Sequence, residues 1–379
     1  MGKCLVTKLN GSISNNKLLR LGEMRVHFAK SESPTASTQG KTFAFVKDAE
    51  LEIIGDAYFT DKTLSENKGK KITVPANSEA GFFVSNNDCD IAILDKYSLS
   101  KIHSWAANIA SYSANVSFTI DDLKYSNTLT SINMDNANVT GDIASLKNLT
   151  ALEKVAMKAK NITGDIANLK NLTSLKMISL RNSAAITGDI ANLKNLTSLT
   201  TLDLISTSVT GDIANLKNLT SLTTIYLASN SVTGDIANLK NLTSLTTLDL
   251  INTSVTGDIA ELETCPNIGY LRLPDTTEGD LAKLPKNCHF VAFSGNSNTT
   301  YTWSERPSSS KIFSIQGGNI NVSNIDKMLQ DLAQCQAAIP SSGETWFKTI
   351  SVAGNRTSAS DAAVATLQQK GYTISINKA

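Results

Sequence analysis

The chain has 379 residues, of which 41% are hydrophobic and 18% charged, and a net charge of +1. That balance gives no electrostatic case for binding nucleic acid or an anionic membrane, and no apolar run approaches a membrane span. Five cysteines without framework spacing suit folding in a reducing compartment, and the length predicts two or three domains.

Residues 1–110 carry short alternating runs: Cys4–Leu9, Met24–Ala29, Thr42–Val46, Leu51–Ile54, Lys71–Val74, Gly81–Val84 and Asp90–Leu94. Turn-rich stretches such as Ser31–Gly40 and Asn86-Asn87-Asp88 divide them, so the region is expected to be an antiparallel all-β sandwich or barrel. The opening MGKCLVTKLNGS shows neither the apolar stretch nor the cleavage site of an export signal. From Leu5 onward, LVTKLNGSISNNKLLRLGEMRVHF resembles the start of tail-associated proteins of phages that infect Bacteroidetes. The resemblance implies a docking domain that attaches exchangeable C-terminal modules to a particle. An ordinary β cap on a solenoid is the alternative.

Residues 111–295 are a repeat. TGDIANLKNLTSLTTLDLISTSV begins at Thr187 and recurs with small edits from Thr210 and Thr233. The glycines fall at Gly141, Gly164, Gly188, Gly211, Gly234, Gly257 and Gly279, with gaps of 23, 24, 23, 23, 23 and 22 residues. A period this short and regular predicts a solenoid with one coil per repeat. Leu202-Asp203-Leu204 alternates as a strand does, with the two leucines inward and Asp203 outward. Leu193, Leu196 and Leu199 step by three, which suits a tight 3₁₀-like turn. Stacked coils bury these positions against one another, and their strands form a parallel sheet. Phe118–Thr140 reads as a degenerate first coil, with Phe118 where the others have glycine.

The spacing L-x-x-L-x-x-L-x-L-x-x-T-x-V-x-G-x-I-A resembles the leucine-rich repeat, and its ending is similar to the plant-type subclass and to repeats of Bacteroidetes surface and phage proteins. One departure stands out. The inward asparagine that the resemblance implies occurs at Asn230, whereas Thr207, Thr253, Thr276, Ser183, Lys160 and Ala137 hold the position elsewhere. Threonine and serine can still bond a neighbouring carbonyl; Lys160 and Ala137 cannot build the same ladder.

Residues 296–310, rich in Ser, Asn and Thr, read as a linker. Residues 311–379 then read as a βαβαβ cap, with strands Lys311–Ile315, Lys348–Val352 and Tyr372–Ile376. Ser323 is placed to start a helix with Ile325, Met328, Leu329 and Leu332 on one face, and a second spans Ala362–Gln369. The cap is expected to continue the solenoid sheet and cover its edge, an independent small domain being the alternative. The whole is an α/β multi-domain chain: all-β domain, leucine-rich-repeat solenoid, cap.

Comparing copies within the chain separates constant from drifting positions. Asn-Leu-Lys-Asn-Leu-Thr barely changes, whereas the strand face varies. The candidate ligand-binding residues on that concave face are Lys154, Lys158, Arg181, Asp203, Tyr226, Asp249, Tyr270 and Arg272. Their mixture of aromatic and charged groups suits a glycan or a protein; drift on a face that meets nothing is the alternative. Asp142, Asp165, Asp189, Asp212, Asp235 and Asp258 form a row, and Lys147, Lys170, Lys194, Lys217 and Lys240 form another. Two solvated rows that screen each other are preferred here to a cation site. His27, His103 and His289 lie far apart, and no nucleophile elbow, P-loop or zinc motif occurs. No active site, metal or cofactor is expected.

Together these readings lead to the expectation of a non-enzymatic phage virion protein, tail- or fibre-associated and assembled in the host cytoplasm. Its N-terminal domain would dock to other virion proteins, and its solenoid would bind a host-surface glycan or protein. No contact with nucleic acid and no membrane insertion are expected, and analogy with tail fibres suggests a homotrimer. A bacterial cell-surface adhesin and a purely architectural virion component are the alternatives.

Overall fold

The computed structural model describes residues 23–28, 42–59, 71–77, 79–103, 116–134, 138–157, 160–294, 298–301, 306–316, 321–322, 324–337 and 348–379. Cys4–Leu9, Ser31–Gly40, Lys158, Ala137, Ser323 and residues 5–22 of the phage-like opening lie outside them.

Two sheets run the length of the molecule, and both start antiparallel. In the first, Lys71–Val74, Ala49–Phe59, Glu79–Ile93, Met24–Phe28 and Val116–Thr119 pair in that order. In the second, Glu79–Gly81, Thr42–Phe45 and Leu99–His103 pair. Met24, Phe43, Phe45, Leu51, Ile93 and Leu99 are buried between them. Gly81–Val84 and Asp90–Leu94, read as separate strands, belong to the one strand Glu79–Ile93. A register break between Gly55↔Cys89 and Ala57↔Val84 absorbs Asn86-Asn87-Asp88, so a bulge stands where a turn was expected.

The antiparallel part passes directly into the solenoid. Leu99–His103 pairs in parallel with Ser131–Asn133, and Val116–Thr119 with Asn138–Asp142. From there each coil repeats four parts, which the copy at residues 201–223 illustrates. Thr201–Asp203 is a strand of the concave sheet, and Ser206 turns the chain in the left-handed region at φ 54°. Ser208–Asp212 is a strand of a second parallel sheet, and Ile213–Leu216 closes the coil as a 3₁₀ turn. The sequence pattern does not announce that second sheet, built on Ser-Val-Thr-Gly-Asp, because glycine interrupts its alternation.

The packing explains the constant residues. Ile190, Leu193, Leu196, Leu199, Leu202, Leu204 and Val209 are fully buried, each contributing about 1.5–3 kcal/mol. Neighbouring coils meet residue for residue, as in Leu202↔Ile225↔Leu248↔Leu271. The aspartate row from Asp165 to Asp258 and the lysine row are exposed, as expected of solvated rows, and the aspartates have a second role that charge does not explain. Asp165, Asp189, Asp212 and Asp235 each cap the next 3₁₀ turn, their Oδ1 accepting from the N–H two residues on at 2.7–2.8 Å. Asn192 and Asn215 in turn donate to the aspartate carbonyls at 3.0 Å. The capping carboxylate also lies against the glycine of the following coil: a Cβ on Gly211, at φ +110°, would sit 2.1 Å from Asp189 Oδ1. Aspartate and glycine are therefore constant as a pair.

The inward ladder is a hydroxyl version of the expected asparagine ladder. Asn230 Nδ2 donates to the carbonyls of Leu204 at 2.7 Å and Leu227 at 3.1 Å, while its Oδ1 accepts from the N–H and hydroxyl of Thr207. Thr253 donates to the Leu250 carbonyl at 2.6 Å. In the last coil Thr276 donates to the Val255 carbonyl of the preceding coil, and the buried Thr277 beside it donates to the Pro274 carbonyl at 2.7 Å. Lys160 is exposed.

The concave sheet continues through Phe290–Phe293, Ser314–Gln316, Thr349–Arg356 and Thr373–Lys378, all parallel. Helices Ile325–Gln334 and Asp361–Gln369 cover this end, the first burying Ile325, Met328, Leu329 and Leu332. Within residues 296–310, read as a linker, Asn298–Thr300 pairs with Thr277–Asp280, and Arg306 is buried. The Arg306 guanidinium donates to the carbonyls of Leu284 at 3.0 Å and Pro285 at 3.2 Å and lies over Phe313. Tyr301 donates to Asp331 at 3.0 Å, and Lys327 pairs with that carboxylate, so the last coil and the first helix share one buried polar knot.

Candidate functional site

Parallel pairing in strict register turns each strand position into a row across the concave face. One row reads Lys154, Met177, Thr201, Thr224, Thr247, Tyr270 and Phe290. The row beside it reads Ala156, Ser179, Asp203, Tyr226, Asp249, Arg272 and Ala292. On the flank, the hydroxyls of Thr200, Thr223 and Thr246 donate to the carbonyls of Lys176, Thr200 and Thr223 at 2.9–3.0 Å, which ties the coils together.

Five of the eight predicted residues meet in the middle. Asp203 and Asp249, read as outward, are only 3% and 2% exposed. Asp203 accepts from Ser179 at 3.1 Å and pairs with the Arg181 guanidinium. Asp249 pairs with Arg272 Nη1 at 2.8 Å and accepts from the N–H of Ile251 at 3.2 Å. Tyr226 stands between the two carboxylates, and the Arg181 guanidinium lies 5.5 Å from its ring centre. The groups that face outward are therefore Arg181, Tyr226 and Arg272, whose Arg side chains keep 30% and 35% of their surface. The aspartates hold them in place.

Electrostatics agree with that division. Burial pushes the Asp249 carboxyl up, Arg272 opposes it, and the Asp203 charge adds to the rise. Burial and the two carboxylates also raise the Tyr226 phenol against the pull of Arg181, so it stays a neutral hydrogen-bonding group. Two arginines and two aspartates leave the strip without net charge.

The other predicted residues are dispersed. Lys154 is half-buried in the row of Tyr270 but separated from it by Met177, Thr201, Thr224 and Thr247. Tyr270 stacks on Phe290, with ring centres 4.6 Å apart and planes within 10°. Beside Tyr270 opens a cleft of about 440 Å³ lined by Thr246, Thr247, Asn267, Gly269, Tyr270, Asn287, His289 and Lys311. Apart from Tyr270, sequence reasoning missed it. Its signal was the loss of the Leu-Thr-Ser-Leu-Thr-Thr consensus in the last coils, where Asn267, Gly269, Asn287 and His289 appear.

Among the described residues no group of three or more His, Cys, Asp or Glu is placed to hold a metal ion, and no helix is long and apolar enough to cross a membrane. Cys265, Cys288 and Cys335 are buried free thiols, and burial pushes Cys288 up to about 11.

No protein-family model matches the chain, and no curated protein matches it. Among solved structures it is similar to an internalin (inlF) of Listeria monocytogenes, 20% identical over 76% of this chain and 83% of that one, with a TM-score of 0.49. Internalin C2 of the same species is 25% identical over 53% of this chain and 85% of that one, at a TM-score of 0.42. A plant peptide hormone receptor solved in complex with its peptide is 17% identical over 68% of this chain and 52% of that one, at 0.40. The fold, on its own coil geometry, is a leucine-rich-repeat solenoid.

Proposed function

We propose that the chain is a non-enzymatic recognition protein whose concave solenoid face binds a host-surface ligand. The observation that carries this reading is the strip Arg181–Asp203–Tyr226–Asp249–Arg272. Buried carboxylates pre-orient two arginines around a tyrosine, and tyrosine and arginine are the residue types on which binding energy concentrates. Side chains held this way lose little freedom when a ligand arrives. The strip also falls where otherwise near-identical copies differ.

The chain acts in this reading as an attachment component of a phage virion, docked to other virion proteins by its N-terminal part. That placement rests on the resemblance of LVTKLNGSISNNKLLRLGEMRVHF. Antibody to residues 118–281 tests it: gold on the tails or collars of particles from a lysing culture is expected. Gold on intact, uninfected cells would overturn it in favour of an adhesin. The face itself is tested by Arg181→Ala, Tyr226→Ala and Arg272→Ala together, which should abolish adsorption and leave particles whole. Particles that fail to assemble would make the solenoid architectural instead.

A further inference from the structure

We infer that the cleft beside Tyr270 is a subsite for an acidic saccharide, a sugar residue bearing a carboxylate, within the ligand of the concave face. This rests on the recognition reading above and assigns the chemistry of one end of that face. Gly269 stands in the flanking row where the preceding coils carry Thr200, Thr223 and Thr246. The space a side chain would take there is filled by the His289 imidazole, whose Cε1 would lie 2.6 Å from a Cβ. Gly269 thus lets His289 pack in and line the cleft; a larger residue would push the imidazole out.

Three features of the lining select a sugar acid. Tyr270 has one ring face against Phe290, and in the other direction its neighbour in register is Thr247, a small residue. The ring thus stands as an aromatic platform at the end of a shelf of Thr201, Thr224 and Thr247, suited to the C–H face of a pyranose. Those three threonine hydroxyls make no hydrogen bond among the described residues, in contrast to the engaged row Thr200, Thr223 and Thr246. Asn267 and Asn287 donate through Nδ2 to the carbonyls of Thr243 at 3.0 Å and Pro266 at 2.9 Å. Their orientation is thereby fixed, with Oδ1 as the acceptor for sugar hydroxyls.

Charge supplies the third feature. The arginines of the central strip are each neutralised by a buried aspartate, whereas Lys311 has only the neutral Gln336 Oε1, at 3.2 Å, and no carboxylate among the described residues. A carboxylate on the ligand would complete that pairing.

Titration calorimetry on the full chain with a hexuronate tetrasaccharide and its neutral hexose counterpart tests the assignment. The uronate should bind at least roughly tenfold tighter than the neutral sugar. Lys311→Gln should bring the two affinities together, Tyr270→Ala should weaken both by roughly tenfold, and Gly269→Thr should block both. Lys217→Gln, at an exposed lysine outside both the strip and the cleft lining, should leave uronate binding unchanged. Melting curves confirm that each variant is folded. Equal binding of the two sugars, binding indifferent to Lys311→Gln, or binding of neither would overturn the subsite. If neither sugar binds while the strip substitutions still abolish adsorption, the recognition reading stands and the subsite falls; if neither sugar binds and the strip substitutions leave adsorption intact, both fall.

Discussion

Asp189 and Gly211 show how one pair of residues sets the shape of a coil. The carboxylate caps the turn immediately after it, and the close approach of the next coil leaves no room for a Cβ where φ is +110°. If the aspartates act as caps, Asp189→Asn should change stability little, since the amide oxygen still accepts, whereas Asp189→Ala should cost about 1 kcal/mol. A charge ladder would predict the opposite for Asn, which removes the charge. Gly211→Ala should cost more, about 2–4 kcal/mol, because it adds both a strained backbone and a clash with a carboxylate held by its own hydrogen bond. Urea denaturation of the single variants measures all three. The cap was illegible in the sequence for a definite reason. Asp and Lys rows recur with the same period whether charge or backbone geometry keeps them, and a hydrogen bond two residues along leaves no trace in spacing.

At the scale of the element, the helix Ile325–Gln334 is tied to the start of the second helix by Asp326. Its carboxylate accepts from the Thr357 N–H at 2.9 Å and from the Thr357 hydroxyl at 2.6 Å. Burial alone would raise this carboxyl, but hydrogen bonds from Ser360 and Thr357 and the nearby Arg356 outweigh it and hold it below the ordinary 3.8. A carboxyl depressed in the folded state adds stability that is present above 3.8 and lost as pH falls through the folded value. Amide exchange in residues 357–369 should therefore quicken relative to the solenoid as pH drops through that range, after correction for intrinsic rates. Asp326→Asn should weaken the tie at neutral pH and flatten the dependence. An unchanged profile would show that the Asp326 contact does not hold the two helices together and would leave that role to apolar packing and to neutral contacts such as Gln330 Nε2 to the Ala359 carbonyl. Here the sequence pattern was informative about the helices, through Ile325, Met328, Leu329 and Leu332, and silent about the tie, because Asp326 and Thr357 are 31 residues apart.

The concave face shows the same contrast across the whole molecule. Strict repetition made the coil legible, since every copy restates which positions are inward. It misassigned the exposure of Asp203 and Asp249. Period-2 alternation turns them away from the core, but neighbouring coils bring arginine and tyrosine over them, and a buried carboxylate with a guanidinium partner is then the stable arrangement. A repeat cannot announce what its neighbours place above it, and for that reason the site resides in the few positions where the copies disagree.

The continuity of the two sheets bears on the stability of the whole chain. Antiparallel strands, coils and cap share strand pairings from Leu99–His103 to Thr373–Lys378, so the coils are held between two covered ends. Stability in such a stack is a sum of coil terms and interfaces between neighbours. Excising residues 188–233, two full periods, joins Thr187 to Gly234 and recreates the native Thr-Gly-Asp junction between chemically equivalent coils. That variant should remain folded and melt cooperatively, only a few degrees lower than the parent. It should lack adsorption, because Asp203 and Tyr226 go with the excised coils. Excising a length that is not a multiple of the period, such as residues 188–220, should abolish the cooperative transition, since every leucine after the junction is put out of step with the core. Circular dichroism melts of the two deletions separate these outcomes. If both unfold alike, the covered ends act on the solenoid through contacts specific to individual coils, and the equivalence of its coils is a property of sequence alone.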